Sequence, residues 1–152
     1  MSSLEVLLAE REIYRQLVRF ARAMDARDWT ALENITCPDI KADVGAGQLL
    51  GREAFVANMR SFLDDCGPTQ HLLGNVLFEV TGDTASSQAY VSDMHLGTGD
   101  MADQTFRTLG DYHDRWQKRG DSWLMVERIK HNHGLIGSMQ VLGPGPEGFS
   151  SE

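Results

Sequence analysis

The chain has 152 residues, 41% of them hydrophobic, and a formal net charge of -8 at pH 7. That length closes one well-buried core and leaves little for a second, so a single domain is expected. The acidic balance, with no long basic segment, excludes nonspecific attachment to nucleic acid or to an anionic membrane and leaves an uncharged or cationic small ligand as the easier partner.

The N-terminus alternates apolar and charged residues, with Glu5 and Glu10 in its first turns, and so lacks the apolar stretch of a signal peptide. No run of about eighteen apolar residues occurs, which excludes a spanning helix, and a soluble cytoplasmic protein is the default expectation. Cys37 and Cys66 stand in neither a metal-type nor a redox-type spacing and read as free thiols.

From Leu4 to Met24, apolar residues such as Ile13, Leu17, Phe20 and Met24 recur at three and four, which predicts an amphipathic helix. A second short helix is predicted from Asp28 through Ile35, with Asp28 as its cap and Trp29 and Leu32 turned inward, stopped by Cys37-Pro38-Asp39. A glycine-broken segment runs from Ile40 to Gly51. Helical spacing returns over Arg52 to Leu63 through Phe55, Met59, Phe62 and Leu63, and ends at Cys66-Gly67-Pro68. Turn signals at Thr81-Gly82-Asp83, Gly97-Thr98-Gly99-Asp100 and Arg119-Gly120-Asp121 then separate strands at about 71–80, 85–96, 105–118 and 122–133. Helices first and an antiparallel meander afterwards is an α+β arrangement. The domain is placed at 1–142. The Gly/Pro-rich end, 143–152, is expected to be a flexible tail, or alternatively a flap over a pocket mouth or onto a neighbouring subunit.

Three ionisable residues stand where apolar ones would be expected. Asp25 ends the inner face of the first helix, on the unfavourable side of the helix dipole, which calls for an offsetting partner. His71 lies where a turn passes into the apolar strand Val76-Leu77-Phe78, so that it can point into a barrel or cone and change charge near neutral pH. His95 shares a strand face with Ala89, Val91 and Asp93. Two ionisable groups on one inner face are costly in an apolar core and point to a wet pocket.

The helix ending in Met24-Asp25 with Asp28-Trp29 after it, then Gly51-Arg52-Glu53-Ala54, Thr69-Gln70-His71, Gly82-Asp83-Thr84-Ala85, Gly110-Asp111-Tyr112 and Ser122-Trp123, together resemble the SnoaL-like branch of the nuclear-transport-factor-two-like superfamily. The resemblance covers about Leu4 to His131. It implies a cone-shaped roll, three N-terminal helices packed in a strongly curved, mixed but mostly antiparallel sheet, with a pocket between the first helix and the concave face. Asp25, His71 and His95 match the three chemical positions of the scytalone dehydratase pattern, and Asp25 and His71 match those of hexachlorocyclohexane dehydrochlorinase and bile-acid dehydratase. Two positions depart from these patterns: Met24 stands where scytalone dehydratase has a tyrosine, and Phe20 where the dehydrochlorinase has a basic residue.

The resemblance therefore implies a cofactor-independent dehydratase, a lyase that removes water from a small hydrophobic hydroxy-carbonyl or polycyclic substrate. His71 would be the base, Asp25 its partner and His95 the donor to the leaving group. Tyr14, Trp29, Phe55, Val91, Asp93 and Tyr112 are the candidate substrate contacts, with Leu72, Phe62 and Trp116 as further wall residues. Arg115, His131 and Asn132 are possible orienting groups, Arg128 reads as one half of a surface ion pair, and His113 as outward-facing. The alternatives are a polyketide cyclase, isomerase or hydrolase on the same scaffold, or a noncatalytic ligand-binding module. No dinucleotide fingerprint, phosphate loop or metal-ligand spacing appears, so neither cofactor nor metal is expected, and His131-Asn132-His133 does not count as a metal site. A homodimer or homotrimer is expected from the resemblance alone.

Overall fold

The structure is a computed structural model and describes residues 1–150. Helix α1 (Ser3–Ala26) starts with a capping box in which the Ser2 hydroxyl accepts from Glu5 N–H and the Glu5 carboxylate accepts from Ser2 N–H. Its buried stripe, including Ile13, Leu17, Phe20 and Met24, is the one the spacing predicts. The second predicted helix is a 3-10 stretch, Trp29–Asn34, and Asp28 makes no capping hydrogen bond to its backbone. Helix α2 (Arg52–Leu63) matches the predicted third helix.

The sheet has six strands, two more than the sequence pattern indicated. These are β1 (Thr36–Asp43), β2 (Gln48–Leu50), β3 (Thr69–Thr81), β4 (Thr84–Leu96), β5 (Thr105–Arg119) and β6 (Ser122–Gly137), arranged β2-β1-β6-β5-β4-β3. Only the β1–β6 pair is parallel, and the sheet is not closed. Strand β1 escaped the sequence reading because Cys37-Pro38-Asp39 looks like a stop. Pro38 is accommodated where the β1–β6 register shifts between Thr36 and Lys41, a place that requires no regular ladder donor. The tight hairpins β3–β4 and β5–β6 turn at Gly82 (φ 61°) and Gly120 (φ 63°), a conformation that glycine adopts without a Cβ penalty.

Irregularities interrupt the long strands between Gly74 and Leu77, Leu109 and Gly110, and Arg115 and Trp116. Such bulges bend a strand and increase its twist, wrapping the sheet around the helices. Ile13, Leu17 and Phe20 from α1, Phe55 from α2, and Trp116 and Met125 from the sheet meet in one core, each 0–1% exposed. Burial of each large apolar side chain of this kind contributes about 1.5–3 kcal/mol. No helix is long and apolar enough to cross a membrane among the described residues.

Residues 143–150, the described part of the predicted tail, run along α2. Gly143 N–H donates to Phe62 O at 2.8 Å, Gly145 N–H donates to Ser61 O at 3.2 Å, and Phe149 meets the Phe62 ring edge-on with centroids 5.0 Å apart. Residues 151 and 152 lie outside the described part.

Candidate active site

Between α1, α2, the concave sheet face and the C-terminal segment lies a cavity of about 340 Å³, within the usual size of a small-molecule site. Its walls are mostly apolar, with Met24, Phe55, Phe62, Phe106 and Leu135 among them, while Phe149 and Ser150 border it from the tail.

Asp25 projects from the last turn of α1 into a set of donors that offsets its unfavourable place on the helix dipole. The Thr69 hydroxyl donates to Oδ1 at 2.9 Å, His71 N–H to Oδ2 at 3.1 Å, and His71 Nδ1 lies 2.6 Å from Oδ1. Burial works to raise the Asp25 carboxyl, but the His71 and Thr69 hydrogen bonds outweigh it and hold the group below the ordinary carboxylate range. An ionised Asp25 accepts, so Nδ1 carries the proton and Nε2 is the ring nitrogen left for a ligand. Arg27 fixes this junction. It ends α1 in the left-handed conformation, and its guanidinium donates to Met24 O, Leu63 O, Gly67 O and Thr69 Oγ1, tying both helix ends to the start of β3.

His95 comes from β4, its ring 5.7 Å from that of His71 and nearly perpendicular to it. Its Nδ1 lies 3.0 Å from Phe106 O. A carbonyl only accepts, so Nδ1 bears the hydrogen and Nε2 of the neutral ring bears a lone pair. Burial pushes the His95 pKa below its ordinary value, against the opposing effects of Asp93 and the Phe106 carbonyl. The ring is therefore a hydrogen-bond acceptor at neutral pH.

Asp93 faces inward, as the β4 alternation predicts, but its oxygens are engaged. Oδ1 accepts from Thr108 N–H and Oγ1–H, both at 2.7 Å, and Oδ2 accepts from Lys130 Nζ at 2.8 Å. Burial raises the Asp93 carboxyl, yet the Lys130 charge and these hydrogen bonds hold it below the ordinary range. Lys130 Nζ also donates to Thr108 Oγ1 at 2.9 Å, which leaves one of its three donors uncommitted to these partners. The Lys130 side chain reaches Asp93 by crossing Gly110 on β5. A Cβ at Gly110 would stand 2.6 Å from Lys130 Cε and 2.6 Å from Val91 Cγ1, so glycine is required for the crossing.

Ligand atoms of His71, Asp93 and His95 lie within 4.8 Å of one another, the composition of a two-histidine, one-carboxylate metal site. The donor set does not suit a resident cation, because the Lys130 ammonium occupies Asp93 and would oppose the added charge.

His71, His95, Phe55, Asp93 and Tyr112 line the cavity, and Asp25 adjoins it through its contact with His71. Tyr112 is fully enclosed, and burial raises its hydroxyl pKa so that it stays a neutral phenol. Three candidate contacts are corrected. Tyr14 is 46% exposed because it sits one residue off the buried stripe of α1. Trp29 is turned by the 3-10 geometry toward the end of α2, where Nε1–H donates to Asp64 at 2.9 Å. Val91 is buried but packs over Gly110, outside the cavity lining. Of the further wall residues, Phe62 lines the cavity, Leu72 is exposed on the outer face, and Trp116 is core, with Nε1–H donating to Ser87 Oγ. Arg128 is not a surface ion pair. It is 1% exposed, bound twice to Asp114 at 2.8 Å and stacked on the Phe20 and Tyr112 rings.

Comparison with known proteins agrees with this architecture. The SnoaL-like domain profile matches residues 5–129. The chain belongs to the SnoaL-like family. An uncharacterized protein of Mycobacterium tuberculosis, Rv2910c, is 31% identical over 121 residues, which cover 78% of this chain and 82% of that one. Among solved structures, hexachlorocyclohexane dehydrochlorinase LinA type 2 superposes with a TM-score of 0.80 at 18% identity, covering 97% of this chain and 100% of that one. A Novosphingobium aromaticivorans protein provisionally described as a scytalone dehydratase gives 0.79 at 18% identity, covering 98% and 99%. These structural likenesses establish the fold.

Proposed function

We propose that this SnoaL-like protein is a cofactor-independent dehydratase acting on a small, mostly apolar β-hydroxy ketone. The observation that carries the reading is the 2.6 Å contact between Asp25 and His71 Nδ1, which leaves Nε2 for the ligand of a largely apolar cavity. The fold shared with a dehydrochlorinase and with a protein described as a scytalone dehydratase supports the same reaction class.

In this reading His71 Nε2 removes the proton on the carbon next to the substrate carbonyl, and the Asp25 carboxylate offsets the charge that appears on the ring. The electron pair of the broken C–H bond becomes the new C=C bond as the neighbouring C–O bond breaks. The departing oxygen takes the proton back from the His71 imidazolium and leaves as water, which restores neutral His71. One histidine thus serves as base and then as acid. His95, whose free nitrogen accepts, orients the substrate hydroxyl, a role different from the donor expected from sequence. Lys130 offers its uncommitted N–H to the oxygen on which negative charge grows, replacing the basic residue that Phe20 displaces. Arg128 is held by Asp114 through two hydrogen bonds and supports the Tyr112 wall.

The test is incubation with a β-hydroxytetralone, which loses water to become a fluorescent naphthol. Enzyme-dependent naphthol formation that disappears in His71→Ala is the expected result. Absence of turnover across a panel of β-hydroxy ketones would count against the proposal.

A further inference from the structure

The cavity-lining face of α2 runs Phe55, Asn58, Met59, Phe62, a spacing of three and four that would ordinarily be apolar throughout. Asn58 breaks it. The residue is 4% exposed and lines the cavity, and neither Nδ2 nor Oδ1 has a hydrogen-bond partner among the described residues. Buried amides are nearly always paired, and an unpaired one destabilises the fold, so leucine, with the same branching and no polar atoms, would serve this position better if packing were its task.

The ionisable groups on the sheet side of the cavity have structural partners of their own. On the sheet, His71 is held by the Asp25 carboxylate, His95 by the Phe106 carbonyl, and Asp93, Thr108 and Lys130 by one another. Asn58 is the sole polar residue that α2 contributes to the lining, and it offers one neutral donor group and one neutral acceptor. No cation of α2 borders the cavity, so an anionic ligand group has nothing to meet there.

We propose that Asn58 is a specificity residue that binds a second, uncharged polar group of the ligand, a ring hydroxyl, away from the carbon that reacts. A hydroxyl is the smallest group that both accepts and donates, as the amide requires. The cavity then selects a ring ketone carrying its own hydroxyl, held at the sheet by the reacting end and at α2 by this group. This inference rests on reading the cavity as a site for ring ketones, but not on turnover.

The test is calorimetric binding of α-tetralone and its set of aryl-monohydroxylated derivatives to the wild-type protein, Asn58→Leu and His71→Ala. At least one hydroxylated isomer is expected to bind the wild type about tenfold more tightly than α-tetralone, the worth of one good hydrogen bond. Asn58→Leu should abolish that preference, retain α-tetralone binding, and raise Tm by about 2–4 °C. His71→Ala should keep the preference, so failure of the dehydratase reading leaves this result standing. Asn58→Ala, which cannot overpack the site, carries the same expectation for the preference. The proposal is overturned if no hydroxylated isomer is preferred, if the preference survives in Asn58→Leu and Asn58→Ala, or if Asn58→Leu lowers Tm.

Discussion

Replacing Lys130 by methionine removes a charge while keeping most of the aliphatic stem that crosses Gly110. The Lys130 and Asp93 side chains are 12% and 2% exposed, and their contact is 2.8 Å. Opposite charges about 4 Å apart at an effective dielectric of about 20 interact by about 4 kcal/mol. Breaking a buried pair from one side costs about 3–5 kcal/mol. Because Thr108 continues to donate twice to Asp93, the lower end, about 3 kcal/mol, is the expected loss for Lys130→Met. For a chain of this length that is about 6–12 °C in Tm, measurable by calorimetry and by urea unfolding. Asp93→Asn added to Lys130→Met should recover most of the loss, since the uncharged side chain still accepts from Thr108. The pH dependence has a definite sign. In the wild type the depressed Asp93 pKa contributes stability that is present above about pH 4 and is lost as pH falls through the folded value. Without Lys130, burial dominates and raises that pKa, so the gap between variant and wild type should narrow on going from pH 7 toward pH 4. A loss below about 1 kcal/mol for Lys130→Met, or no recovery in the double variant, would refute the reasoning.

Four further outcomes follow from the same geometry. Asp25→Asn can keep an oxygen on His71 Nδ1 but removes the charge and sets its NH2 against the His71 N–H, and should lower kcat/KM by about a hundredfold or more, with a crystal structure showing whether the ring has moved. His95 should titrate below the ordinary value of about 6.5 in a histidine NMR titration. Its contribution to stability, present above that value, should decline as pH falls below it, and His95→Asn should remove that part of the pH–stability curve. Gly110→Ala should displace Lys130 and lower both Tm and activity, whereas alanine at Gly74, where a Cβ meets nothing, should cost little, as thermal melts of the two will show. Phe149→Ala, which opens the cavity border against Phe62, should raise KM several-fold with a smaller effect on kcat in steady-state assays.

The ionisable site residues that sequence reasoning found share one property: each stands where an otherwise regular pattern would put an apolar side chain. Asp25 breaks the stripe of α1, and Asp93 and His95 break the alternation of β4, whose register with β5 runs without a shift from Thr84 to Leu96. Lys130 and Arg128 were hidden by a bulge. Arg115 pairs with Glu127 and Trp116 with Met125, so Val126 is an extra residue, and beyond it the inward positions change from odd to even. Simple alternation from Trp123 and Met125 would send Arg128 and Lys130 outward, which is why Arg128 read as a surface residue. Asn58 was legible in principle, since it lies three residues after Phe55 on the same helical face, but its neighbours Phe55, Met59, Phe62 and Leu63 already satisfied the pattern. The missing partner that makes it informative is a property of three dimensions. Strand β1 was lost for a similar reason, because Pro38 signals a stop unless the irregular register around it is known.

The central claim is that His71, held by Asp25, removes a proton from carbon. It is tested most directly by following exchange of the hydrogens next to the carbonyl of a tetralone in deuterium oxide by proton NMR, with wild type and His71→Ala side by side. The account predicts exchange faster than in buffer with the wild type and a return to the buffer rate with His71→Ala. Equal acceleration by both proteins would contradict it.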